Sequence, residues 1–294
     1  MKKILITGAD GFIGRHLLKK LGDHYAVTGI ALKNQTIEGC PVLKLDLKNE
    51  KSLGAFFKSR KFDAIIHLAA MVPPSFEDPK AFESVRDNFL LTYNLLSEFN
   101  QSRAQKFIYA SGISVIGQPG KKPVTEEDLA KPDNFYTLGK LFGEMLALAS
   151  PKDKKIIVLR ISAPYGPGQA LHAVIPRFME LAKNSQPIEI YGTGGRAQDF
   201  IYINDVAESF EAVLNSNTSG IYNIASGQTV SMVGLAKTIL AQFPESKSKI
   251  ILGKKNDPQE NYRLKVDVKK AQKELKFKAR FNLEKGLKEY RKNA

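Results

Sequence analysis

One cysteine, Cys40, stands in a chain of 294 residues. That excludes a disulfide framework and a cysteine metal cluster, and no metal site is expected. A nearly cysteine-free chain fits a reducing, cytoplasmic compartment. Long apolar runs are missing too. No segment approaches the ~20 apolar residues of a membrane span. Behind Met1-Lys2-Lys3 the apolar run is only Ile4-Leu5-Ile6, too short for the core of a signal peptide. The expectation is a soluble, cytoplasmic protein with no membrane partner. Internal repeats, coiled-coil heptads and low-complexity tracts are also absent.

Positive charge is not scarce: the formal net charge is +14. The lysines are spread from Lys2 to Lys292, and no aromatic-interleaved basic patch gathers them. The most basic stretch, Arg263 to Lys292, also carries Asp267, Glu274, Glu284 and Glu289. Such a distribution reads as a solvated surface first and as a field for phosphorylated small ligands second. Nucleic acid is not expected as a partner.

Short apolar runs alternate with helical patterns through the first half. Strands are predicted at Lys3–Thr7, Ala26–Ala31, Val42–Leu45, Ala64–Leu68, Lys106–Tyr109 and Lys155–Ile161. Helices are predicted at Gly14–Leu21, Lys80–Asn100 and Asn134–Ala149, and a Gly- and Pro-rich loop at Gly117–Asp133. This rhythm implies an α/β fold, a Rossmann-type doubly wound parallel sheet with helices on both faces. At Pro164, Gly166, Pro167 and Gly168 the rhythm changes. The predicted division is a dinucleotide-binding domain over 1–165 and a smaller α/β substrate lobe over 166–294, with the chain free to cross between them. Ligands are then expected in the crevice at the carboxyl edge of the sheet.

The first strand runs into Gly8-Ala9-Asp10-Gly11-Phe12-Ile13-Gly14. Gly8 permits a tight turn, Gly11 lets a pyrophosphate approach the backbone, and Gly14 lets helix and strand pack closely. The N–H groups at the start of the helix then face the phosphates of a nicotinamide dinucleotide. Asp46, followed by Leu47 at the end of the third strand, is placed to accept from an adenine amino group; the plainer reading is a turn-forming aspartate. The second strand ends Gly29-Ile30-Ala31-Leu32-Lys33, without the acid that would grip a ribose 2′-hydroxyl. Lys33 is a candidate partner for a 2′-phosphate. The cofactor is NAD or NADP, with a lean to NADP.

Tyr136 and Lys140 lie four apart on a predicted helix, hence on one face. About one such pair is expected by chance in this composition. Its place after the fifth strand, in the helix that should border the nicotinamide, gives it weight. A free tyrosine, pKa ~10, is a poor base at neutral pH. The Lys140 ammonium and a nicotinium charge both favour phenolate. The structural alternative is a packed tyrosine beside a surface lysine.

With these motifs in place the chain resembles the extended short-chain dehydrogenase/reductases, in the NAD(P)-dependent nucleotide-sugar epimerase/dehydratase branch. The resemblance runs the full length in order. Thr7 to Gly14 resembles the dinucleotide turn, and His67-Leu68-Ala69-Ala70 the motif beside the cofactor. Asn88 matches a mid-helix asparagine, and Tyr136 and Lys140 match the catalytic pair. Arg160 to Gly168, Asp199 to Asp205 and Tyr222 to Gly227 follow, then Leu275-Lys276-Phe277 and Leu283 to Leu287. The resemblance implies hydride transfer at a sugar carbinol or ketone carbon, as an epimerase or a 4-ketoreductase. Tyr136 would serve as acid/base, Lys140 would tune it, and a nucleotide-diphosphate sugar would be the substrate. It also implies substrate contacts from Val174, Arg196 and Arg263. A homodimer is implied on the helices at Lys80–Asn100 and Asn134–Ala149.

The chain departs from this pattern at informative places. A Ser or Thr belongs three residues before the triplet Val115-Ile116-Gly117, to bond the reacting sugar oxygen; here that residue is Gly112. Ser111, taken as the candidate replacement, and Ser114 flank it. Losing such a bond costs ~1–3 kcal/mol of transition-state stabilisation. The acid pair of the 4,6-dehydratases is replaced by Ile113 and Ser114, which argues against dehydration. Gln198 and Ala163 also replace an arginine and an asparagine on the substrate side. These departures keep two alternatives open: a cofactor-binding sensor or scaffold with little turnover, and a reductase of a non-sugar carbonyl.

Overall fold

The computed structural model describes residues 1–73, 81–253 and 255–293. In chain order the elements are β1 Lys3–Thr7, α1 Phe12–Leu21, β2 Ala26–Ala31, β3 Gln35–Ile37, β4 Cys40–Lys44 and α2 Glu50–Ser59. Then come β5 Ala64–His67, α3 Ala81–Gln101, β6 Lys106–Gly112, a 3₁₀ turn Ile113–Ile116, α4 Phe135–Leu148, β7 Lys155–Ile161, β8 Ala163–Tyr165 and α5 Val174–Lys183. The last are β9 Ile188–Ile190, β10 Ala197–Tyr202, α6 Ile203–Asn215, β11 Gly220–Ile224, β12 Thr229–Ser231, α7 Met232–Leu240, β13 Ile250–Leu252 and α8 Leu283–Lys292.

The main sheet has eight strands in the order β11-β7-β6-β5-β1-β2-β4-β3. All pairings are parallel except β3 against β4. Such a sheet must be covered on both faces. Along β1 the side chains alternate accordingly: Ile4 and Ile6 enter one core with Leu17 and Leu18 of α1 and Phe210 of α6. Leu5 enters the other, with Leu53 of α2, Leu95 and Phe99 of α3 and Ala147 of α4. The strand order reverses between β1 and β5, and ligands bind in such folds at the carboxyl ends of strands flanking that switch.

The smaller α/β part carries a three-stranded sheet, β12-β10-β8, and a two-stranded one, β13-β9. β11 leaves this half and pairs with β7 in the main sheet, so the chain crosses back. No described helix is long and apolar enough to cross a membrane.

Several elements lie outside the pattern predicted from sequence. α1 begins at Phe12, not Gly14, because Gly11 is its N-cap and already accepts from the Arg15 N–H at 3.0 Å. The third strand runs Cys40–Lys44 rather than Val42–Leu45, extended by the antiparallel β3. α2 was not among the predicted helices, although Leu53, Phe56 and Phe57 stand at helical spacing; Asn49 caps it by accepting from Ser52 N. The predicted helix start at Lys80 lies outside the described residues.

Candidate active site

A cavity of about 770 Å³ opens at the switch point. One end of it is built from backbone. Gly8 has φ +65°, and a Cβ there would lie 2.7 Å from Ala69 N. Glycine therefore lets the segment after β5 close against the turn. Thr7 holds that segment: its carbonyl accepts from Leu68 N at 3.2 Å and its Oγ1 from Ala69 N at 3.3 Å. At Gly14 a Cβ would sit 2.7 Å from Ala9 Cα, so α1 packs directly on the turn. The N-cap, Gly11, has no capping side chain and the first turn of α1 has no acid. The helix presents its open N–H groups and positive dipole end to the cavity, the arrangement that holds a phosphate. The turn thus fits a dinucleotide. Gly8, Gly11, Phe12, Ile13, Gly14, Leu68, Ala69 and Ala70 all line the cavity.

Beyond the turn the cavity is walled by Ile30, Ala31, Leu32, Asp46, Leu47 and Lys48, where adenosine is expected from the sequence. Asp46 Oδ1 accepts from Lys48 N at 2.9 Å, which turns the chain after β4. Lys33 is exposed and outside this wall; the lysine in the wall is Lys48. Asn88 is buried and also lies behind the wall. Its Oδ1 accepts from Met71 N at 2.7 Å and its Nδ2 donates to Met71 O at 3.0 Å, so it fixes the cavity-lining residue Met71.

The opposite end is built from side chains. α4 starts at Asn134, whose side chain accepts from Thr137 N in a capping box. This sets the helix phase so that Tyr136 and Lys140 both line the cavity. Lys140 Nζ lies 6.0 Å from the centroid of the Tyr136 ring and donates to Ala110 O at 2.9 Å. Burial pushes the Tyr136 phenol up and the Lys140 ammonium down to about 8, with Glu144 pulling Lys140 back up. Beneath the pair, His67 bonds Thr7 Oγ1 (2.7 Å) and Thr92 Oγ1 (3.1 Å). Burial holds that histidine neutral, at about 3, with the Lys140 charge adding to the effect.

One turn beyond Lys140 on the same face is Glu144, buried and paired with Arg160 (Nη2 to Oε2, 2.7 Å). Ser111 lines the cavity but donates its hydroxyl to Glu144 Oε1. The four-residue spacing that marks Tyr136 and Lys140 reaches Glu144 as well, so helical periodicity is the signal that would have found it.

A second cavity, about 600 Å³, adjoins the first; Ala163, Pro164 and Gln198 line both. Its wall includes Val174, Arg196, His172, Arg177, Tyr191 and Asp257. Arg196 Nη1 stands 3.7 Å from Asp257 Oδ1. Turned with its oxygen toward Arg196, the Gln198 amide accepts from Nη2 at 3.0 Å and Nε at 3.2 Å. Val174 and Arg196 thus meet in one cavity, whereas Arg263 lines neither. Its Nη1 donates to Tyr262 O at 3.0 Å and to Glu260 O at 2.5 Å, and its side chain is exposed. Behind the site Asp199 Oδ1 accepts from Ser226 N at 2.8 Å, joining the Asp199–Asp205 and Tyr222–Gly227 segments. Tyr262 and Leu264, which line the first cavity from the far end of the chain, were not predicted and carry no local motif.

Residues 4–225 match the model of the NAD dependent epimerase/dehydratase family. The chain is 31% identical over 264 residues to dTDP-D-glucose 4,6-dehydratase of Bos taurus, covering 84% of this chain and 74% of that protein. UDP-glucuronic acid 4-epimerase of Bacillus cereus, solved with UDP-glucuronic acid and NAD, is 26% identical with a TM-score of 0.86, over 99% of this chain and 98% of that one. UDP-glucose 4-epimerase of Thermotoga maritima, solved with UDP-glucose, shares the fold with a TM-score of 0.89 at 24% identity, over 99% and 98%.

Proposed function

This chain belongs to the NAD dependent epimerase/dehydratase family, and from that premise we propose that it is a nucleotide-sugar epimerase or 4-ketoreductase. The observation that carries this reading is a pair of adjoining cavities. The glycine turn and the Tyr136–Lys140 pair line one cavity, and a second cavity, with Arg196 on its wall, shares Ala163, Pro164 and Gln198 with the first. The second cavity is the proposed seat of the nucleotide diphosphate, with Arg196 and Val174 in contact. The sugar then reaches Tyr136. A nicotinamide dinucleotide held by the Gly8–Gly14 turn would supply the hydride acceptor for the sugar carbon, and its positive charge would favour the Tyr136 phenolate.

Tyr136 Oη takes the hydroxyl proton in the oxidising direction and returns it on reduction. Lys140 opposes the effect of burial on that phenol by holding a positive charge beside the ring. Its bond to Ala110 O fixes where the charge sits. Neutral His67 below adds no competing cation. Dehydration is not proposed, although the bovine relative is a dehydratase by name. Ile113 is buried in an apolar cluster with Val115 and Ile116, and among the described residues the acids that line the cavity are Asp10 and Asp46, on the dinucleotide side.

The absence of an acid at the end of β2 supports NADP over NAD; Lys48, though in the cavity wall, pairs its ammonium with Asp87 at 3.1 Å. A homodimer is proposed on α3 and α4. These helices pack together and leave Phe82, Phe89, Tyr93, Phe142 and Met145 exposed. Exposed large apolar side chains gathered on two packed helices favour an association surface.

The test is product analysis with purified protein, NAD or NADP, and a panel of UDP-, GDP-, CDP- and dTDP-sugars and their 4-keto forms. Epimerised or reduced sugar is the expected product. Cofactor binding without turnover of any of them would overturn the reading in favour of a sensor or scaffold.

A further inference from the structure

Tyr136 can satisfy only one side of the reacting oxygen. As the carbon–oxygen bond changes order, charge develops on that oxygen, and a second fixed donor stabilises it. Among the described residues three serines line the cavity: Ser111, Ser114 and Ser162. Two have already placed their protons elsewhere. Ser111 is 5% exposed and donates to Glu144, whose carboxylate also holds Arg160. Ser162 is 1% exposed and donates to the Asp199 carbonyl. Ser114 is exposed to the cavity, and among the described residues its hydroxyl has no hydrogen-bond partner.

Gly112 explains where that hydroxyl sits. Its backbone is ordinary extended chain, φ −121° and ψ 146°, so no conformational demand calls for glycine. A Cβ at this position would come within 3.0 Å of Ser114 Oγ, while the next nearest atoms are 3.9 Å away. The space left by the missing side chain is therefore the space the Ser114 hydroxyl leans toward. The 3₁₀ turn over Ile113–Ile116 brings the hydroxyl back to that point, two residues on from the glycine.

We propose that Ser114 is a catalytic residue whose hydroxyl donates the second hydrogen bond to the reacting sugar oxygen, in the place a side chain at Gly112 would otherwise fill. The proton of the sugar hydroxyl passes to Tyr136 Oη, and Ser114 keeps its own proton throughout. The inference rests on the nucleotide-sugar reading above.

The experiment compares wild type with S114A, S111A and the double variant G112S/S114A. S114A is expected to lower kcat about 10- to 100-fold with little change in KM for the cofactor. G112S/S114A, which returns a hydroxyl to the same space from the neighbouring position, is expected to recover most of that loss. A second readout needs no turnover: by calorimetry S114A weakens binding of the hydroxyl sugar several-fold and leaves its deoxy analogue unchanged. S111A is expected to lower the melting temperature by breaking the link to Glu144. Full kcat in S114A, or a folded G112S/S114A no better than S114A, overturns the proposal and leaves the nucleotide-sugar reading standing. A wild-type protein that binds and turns over no nucleotide sugar overturns both.

Discussion

The two ends of the cavity are made differently. At the glycine turn of the dinucleotide end the cavity wall is main chain, from seven consecutive residues and the segment they press against, Leu68 to Ala70. At the sugar end the wall comes from side chains on separate stretches: Ser114, Tyr136, Lys140, Gln198 and Tyr262 in one cavity, Val174, Arg196 and Asp257 in the next. A backbone site is fixed by steric limits that few residues satisfy, and it serves any reaction that uses the same cofactor. A side-chain site is altered one substitution at a time. The departures at Gly112, Ile113 and Gln198 all fall at the sugar end.

Breaking that comparison is simplest at Tyr136. Tyr136→Phe removes one oxygen from the side-chain end, and turnover is expected to fall about 10³-fold while cofactor affinity stays within about threefold. Steady-state kinetics and cofactor titration check this; an equal loss of cofactor affinity would mean the two ends are one unit.

Lys140→Met comes next, with turnover expected to fall about 10²-fold. Its stability effect has the opposite sign. Burial lowers the Lys140 pKa from 10.5 to about 8. Below pH 8 the lysine is charged folded and unfolded, so the full desolvation cost is present there. Between about 8 and 10.5 the folded protein releases its proton first, and wild-type stability gains relative to the variant. Denaturant melts at pH 7 should find Lys140→Met no less stable than wild type, with the difference moving toward wild type above pH 8. A large loss of stability at pH 7 would contradict the burial argument.

Gly8→Ala tests the backbone end. An Ala at φ +65° with its Cβ 2.7 Å from Ala69 N pushes the Leu68–Ala70 segment outward. Cofactor affinity should fall at least about tenfold, together with ~1–3 kcal/mol of stability, in fluorescence titration and urea melts. The smallest effect sharpens the sugar end. Arg196→Ala should raise the nucleotide-sugar KM about tenfold, while Arg263→Ala, outside both cavities, should change it less than about threefold.

The same division decides what could be read from sequence. Gly8, Gly11 and Gly14 are legible because strand, turn and helix are contiguous. Tyr136 and Lys140 are legible because helical spacing puts them on one face; so was Glu144, once the period is carried one step further. Asn88 was noticed without its action, since its partners are the backbone groups of Met71, 17 residues away, and backbone groups leave no residue-type signal. Lys33 stood at the predicted place along β2, yet the lysine in the cavity wall is Lys48. The direction of a side chain just past a strand end is set by the following loop, here by β3 pairing back on β4. Gln198 and Tyr262 become neighbours of the site through the contacts of β10 with the 262–264 stretch, which no local pattern announces.

Joining the two ends into one reaction is the central claim, and product formation from a nucleotide sugar by wild type and Tyr136→Phe, each loaded with the same cofactor, tests it most directly. Wild type should convert at least one UDP-, GDP-, CDP- or dTDP-sugar or its 4-keto form, and Tyr136→Phe, with cofactor bound as tightly, should not. Equal conversion by both proteins, or none by wild type with its cofactor in place, would contradict it.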